Sequence, residues 1–131
     1  MMGAMEQRRI NAPDAPAPPS RYSQAVEVTG ARRMLFVSGQ IPVAKDGRVP
    51  ADFRDQARQA WANVEAQLRA AGMTLDNVVK VTIFLADRRH AMENRAVRQE
   101  VLGERAPALT VIITGIFDDS WLIEIETVAA A

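Results

Sequence analysis

Hydrophobic and polar residues follow two different periods along this chain, and each period predicts its own kind of element. From Phe53 to Ala71 apolar residues recur every three or four positions, at Phe53, Ala57, Ala60, Trp61, Val64, Leu68 and Ala71, which places them on one helical face. Asp52 is placed to cap that helix, Asp55 stands in its first turn and Gly72 ends it, so an amphipathic helix is predicted over 52–71. Residues 78–86 are apolar on both strand faces apart from Lys80 and Thr82, which predicts a central strand covered from both sides. A second, more polar helix is predicted over 88–102.

Shorter β-rich runs fill the rest. Residues 22–29 and 33–38 flank Gly30-Ala31-Arg32 and predict a first hairpin, and Asp46-Gly47 predicts a second, smaller one. Leu109–Phe117 and Trp121–Val128, split by Asp118-Asp119-Ser120, predict an antiparallel hairpin. The order, a strand cluster, helix, strand, helix and hairpin, defines an α+β fold with both helices on one face of the sheet. In the last strand Leu122, Glu124, Glu126 and Val128 share one face, and Ile123, Ile125 and Thr127 share the other. If the helices cover one sheet face, the mixed apolar and acidic face needs another cover, and self-association supplies it.

Composition narrows the picture further. With 131 residues, 48% hydrophobic and 24% charged, the chain has the size and make-up of one globular domain. Residues 1–20, rich in proline and interrupted by Glu6, Gln7, Arg8 and Arg9, read as an extended arm and not as a secretory signal, leaving 21–131 as the domain. No run of about 18 apolar residues is present, so a soluble protein is expected, with the cytoplasm as the default location. Sixteen basic residues balance sixteen acidic ones, which argues against nucleic acid as a partner; Arg32-Arg33 and Arg88-Arg89 read as solvated loop charges.

The candidate chemistry is sparse. There is no cysteine, and His90 is the single histidine, read here as an exposed surface residue; no metal site or other cofactor is expected. Lys80 would serve as a Schiff-base nucleophile only if buried with a depressed pKa, and the plainer reading is a paired structural lysine. Glu124 is different. It is a carboxylate in mid-strand between Ile123 and Ile125, with Glu126 on the same face roughly 7 Å away, and burial with a like-charged neighbour would tune it for general acid or base work. A solvated pair at the rim of the sheet would carry the same residues.

Several ordered landmarks resemble the RidA (YjgF) family: NAP at 11–13, YSQAV at 22–26, FVSGQIP at 36–42, Gln56-Ala57, Asn63, Gly72, VVKVTIFLAD at 78–87, Asn94, Pro107-Ala108 and IEIE at 123–126. The resemblance runs from about Asn11 to Val128. It implies a chorismate-mutase-like fold, a mixed six-stranded sheet with two helices on one face, assembled as a homotrimer with a small-molecule cleft at each subunit interface. It also implies that Glu124 is the catalytic carboxylate that handles a water, and that Tyr22, Ser38, Gly39, Asn94 and Val111 line the cleft. In relatives that deaminate 2-imino acids, an arginine two residues after the motif proline grips the substrate carboxylate. Leu109 occupies that position here. Leucine offers no planar pair of donors, so the expected activity is that of a deaminase-like hydrolase of an imine, enamine or related metabolite other than the ordinary 2-imino acids. Arg21, beside Tyr22, or Arg105 would have to replace the lost guanidinium for those acids to be served. The alternatives are a non-catalytic metabolite-binding or chaperone-like trimer and, with the least support, the endoribonuclease activity after which some relatives are labelled.

Overall fold

The computed structural model describes residues 4–131. Its strands are β1 (Glu6–Ile10), β2 (Ala25–Thr29), β3 (Met34–Gln40), β4 (Val78–Leu85), β5 (Ala108–Ile113) and β6 (Ile123–Ala130); its helices are α1 (Phe53–Ala70) and α2 (Ala91–Leu102). Helix α1 forms where its periodicity places it. The Asp52 carboxylate accepts the Asp55 amide at 3.3 Å. At the other end Gly72 takes a left-handed φ of 70°, and the Met73 and Gly72 amides donate back to the Leu68 and Arg69 carbonyls. That pair of reversed bonds satisfies carbonyls the helix leaves open.

The strands form a four-stranded sheet ordered β3-β6-β4-β5 and a separate β1-β2 ribbon, where one six-stranded sheet was expected, and β1 lies within the segment read as an arm. The four-stranded sheet is mixed: β6 runs antiparallel to β3 and β4, and β5 runs parallel to β4. Val81, Ile83, Leu85, Ile123 and Ile125 are buried beneath Ala57, Ala60, Trp61, Val64 and Leu68 of α1 and Val97 and Leu102 of α2. The opposite face of β4, with Lys80, Thr82 and Phe84, is only half covered in the protomer, where cover on both sides was expected.

Strand partners depart from the expected hairpins in three places. Strands β2 and β3 do not pair: β2 takes β1, while the Arg32 and Arg33 amides both donate to the Ala131 carbonyl and carry β3 to β6. Likewise β5 and β6 are not neighbours, because β4 lies between them; α2 is the long crossover that a parallel β4–β5 pair needs. At Asp46-Gly47 the turn forms, with Gly47 at φ 90° and the Ala44 amide bonded to the Arg48 carbonyl, but no strands flank it.

One buried amide fastens the helix layer to β6. Gln56, 2% exposed, donates to the Pro50 and Ser120 carbonyls, both at 2.9 Å, and accepts the Leu122 amide at 2.8 Å. Gln56→Leu would strand all three backbone groups, and a loss of about 2–4 kcal/mol is expected. A urea midpoint within error of the parent's would contradict this.

Candidate functional site

The candidate site is built around an irregularity in β3. Val37 pairs with Thr127 and Gln40 with Ile125, so Ser38 and Gly39 together oppose one residue, Glu126. Such a bulge bends the strand and re-aims its side chains. Glu124 lies beside it: a β-carbon built on Gly39 would fall 2.7 Å from Cδ of Glu124 and overlap the carboxylate itself. The glycine is therefore needed for close approach, not for an unusual backbone angle. Helix α1 braces the exit from the bulge, since Asn63 Nδ2 donates to the Ile41 and Val43 carbonyls at 2.8 and 3.0 Å.

Glu124 is half-buried and Glu126 exposed. Neither carboxylate joins an ion pair among the described residues. They share the sheet face away from the helices with Phe84 and Thr82, their partners across β4. Lys80 is on that face too. Its ammonium donates to the Thr110 hydroxyl at 2.7 Å, it forms no ion pair among the described residues, and burial lowers it below the ordinary lysine value. The pairing expected of Lys80 is thus with a hydroxyl. Around these groups Phe36 is 75% exposed and Met34 50%, an apolar surface left open at the β3 side of the sheet.

Leu109 and Val111 stand elsewhere. Leu109 pairs with Val81 and Val111 with Ile83, which face the helices, whereas Glu124 pairs with Phe84 on the opposite face. Leu109 packs partly against the core. A parallel bridge between Ser23 and Ala108 brings Tyr22 alongside the start of β5. Asn94 is 2% exposed on α2, and its Oδ1 has no hydrogen-bond partner among the described residues. The protomer therefore joins Ser38, Gly39 and Glu124 in one cluster and holds Leu109, Val111, Tyr22 and Asn94 apart from it.

The two arginines weighed as replacements for the absent clamp are engaged with other groups. Arg21 donates to the Gly103 carbonyl and lies 3.6 Å from Glu104, and Arg105 holds Asp76 at 2.7 Å. His90 is not the exposed residue expected of it. Its side chain is 12% exposed and its ring stacks on Phe53 with centroids 4.4 Å apart. The stack fits the position: the ring lies just ahead of α2 and covers the first residue of α1.

A buried cation escaped the sequence reading altogether. Arg98 is 3% exposed on α2, and its Nη2 donates to the Ser20 hydroxyl at 2.9 Å. The signal was present, because Asn94, Val97, Arg98 and Leu102 follow helical spacing and are the buried residues of α2. An arginine on the core side of a helix is unusual enough to mark.

Two helices laid over one face of a mixed sheet, with a glutamate seated against a glycine bulge on the other, define a small α+β protein of the RidA type. Residues 12–131 match the family model described as Endoribonuclease L-PSP, and the chain belongs to that family, the RidA/YjgF family. A RutC family protein of Pyrococcus horikoshii is 40% identical over 118 residues, which cover 88% of this chain and 91% of the relative. The 2-iminobutanoate/2-iminopropanoate deaminase of Escherichia coli is 43% identical over 81 residues, 61% of each chain. Among solved structures, a conserved Rid family protein of unknown function from Yersinia pestis, YyfB, superposes with a TM-score of 0.82 at 26% identity, covering 95% of this chain and 98% of that one. E. coli TdcF with bound serine gives 0.72 at 31% identity, with 95% and 98% coverage.

Proposed function

We propose that this chain is a hydrolase of a small imine or enamine, with Glu124 as the group that manages water. The seating of Glu124 against Gly39 carries the reading, since it holds a half-buried carboxylate, in no ion pair among the described residues, at a fixed place where its oxygens can accept a hydrogen bond from a water. In the reaction, water adds its oxygen to the C=N carbon while Glu124 accepts a proton. That proton passes to nitrogen to give the neutral carbinolamine, whose hydroxyl then gives up its own proton, through Glu124, to nitrogen; the C–N bond breaks as the C=O forms, and a carbonyl compound and ammonia leave. An enamine first tautomerises to the imine.

The site is proposed to be complete only between protomers of a homotrimer. Leu109 and Glu124 leave opposite sheet faces of one chain, so a cleft that uses both needs a second copy, and the exposed Phe36 and Met34 offer apolar surface for one. A 2-imino acid whose carboxylate is set beside residue 109 is expected to be a poor substrate, because Leu109 cannot bond it. That same leucine favours a second reading, a metabolite-binding trimer without turnover. Glu124→Gln separates the two: turnover of an imine panel is expected to vanish while ligand binding persists. Unchanged turnover, or a monomer by light scattering at micromolar concentration, would overturn the proposal.

A further inference from the structure

Among the described residues, Arg98 is a guanidinium without an anion. It is 3% exposed, it takes part in no ion pair among the described residues, and its Nε has no hydrogen-bond partner. One turn earlier on the same helix face, Asn94 is also nine-tenths buried with its Oδ1 unpartnered. Ser20 closes one side through its 2.9 Å bond to Nη2. Burial pushes the guanidinium below its ordinary value, and Arg95 adds repulsion. The residues around Arg98 thus leave its charge uncompensated, an arrangement that is strongly unfavourable in a protein interior.

A buried water could satisfy the orphaned Nε and Oδ1 together. It would carry no charge, and so would leave the larger electrostatic deficit in place. An anion removes both deficits, because a carboxylate accepts from the guanidinium while Asn94 turns either end of its amide toward the rest of the ligand. The position is apt as well. Tyr22 lies alongside the start of β5, the strand that carries Leu109, two residues after the Ser20 that bonds Arg98.

We infer that Arg98, with Ser20, Tyr22 and Asn94, forms an anion site that takes the carboxylate of a small organic acid, supplying from α2 the guanidinium that β5 lacks at Leu109. The inference rests on the proposed cleft only in assigning that acid to the hydrolase's substrate or product. It narrows the substrate to an imine or enamine whose carboxylate lies against α2 and not beside residue 109.

The test uses 2-oxobutanoate and the neutral ketone 2-butanone, titrated calorimetrically into the full-length protein, Arg98→Gln and the equal-charge control Arg48→Gln. Saturable binding of 2-oxobutanoate but not 2-butanone is expected for the parent and Arg48→Gln, weakened about tenfold or more in Arg98→Gln. Should Arg98→Gln fail to fold, the Arg98 Nε–H resonance of the parent provides the reading: it is expected to move with 2-oxobutanoate and to stay with 2-butanone. No binding by the parent at tens of millimolar, equal binding by Arg98→Gln, or an unmoved Nε–H would each overturn the inference. The titration measures binding and not turnover, so a failure of the hydrolase reading would leave this site standing.

Discussion

Gly39→Val is expected to lower Glu124-dependent turnover by on the order of a hundred-fold. The added carbons would occupy the volume of the Glu124 carboxyl group, and the neighbour that must move is the reacting group itself. A positioned acid or base contributes roughly 10²–10⁴-fold, and a displacement of about 1 Å is enough to lose on the order of 10² of that. The decisive comparison is the double variant. If Gly39 acts only by seating Glu124, then Gly39→Val combined with Glu124→Gln should be no slower than Glu124→Gln alone, since two changes to one unit do not add. A double variant slower than either single by the product of their effects would give Gly39 a separate role. Thermal unfolding of the three proteins checks that the bulge survives the substitution.

Leu109→Arg is expected to improve the use of 2-iminobutanoate about a hundred-fold in kcat/KM. The figure corresponds to about 3 kcal/mol of charge-assisted bonding that leucine cannot supply. Some stability should be lost in return, because residue 109 packs partly against the core and an arginine there must turn outward. The assay needs freshly generated imine and a subtracted uncatalysed rate. Improvement in the variant alone would mean that the water-handling side is intact and only substrate choice has changed. Equal activity in the parent would mean that a guanidinium already serves the carboxylate, with Arg98 the buried candidate and Arg105 tied to Asp76. Inactivity in both would favour the binding-module reading.

Both helices and the central strand could be read from the sequence because their information is local. Apolar spacing, a capping aspartate and a terminating glycine all lie within the residues they specify, and α1 starts at Phe53 as they require. Strand partners could not be read in that way. Residues 25–29 and 34–40 are adequate strands, yet nothing in their alternation tells β2 to choose β1 or β3 to choose β6. The parallel β4–β5 pair was within reach, since a strand, a helix of crossover length and another strand are the components of that unit. At the candidate site, Glu124 stood out as a carboxylate among isoleucines. The reason for Gly39 did not, because its constraint comes from a side chain far along the sequence. Arg98 was visible in the spacing of α2 and passed unread beside the more familiar Asn94.

The place of β6 in the sheet bears on how the chain is made. Among the described residues it follows every other strand in chain order, and it is the one that stands between β3 and β4. Until residues 123–130 emerge, β3 has no partner in its sheet and β4 presents an unpaired edge toward the place β6 will fill. A nascent chain with α1 and the β4–α2–β5 unit already formed would display two edges suited to pairing with a stranger. Completion of the sheet is thus deferred until residues 123–130 emerge, when one later strand closes the gap between two earlier ones.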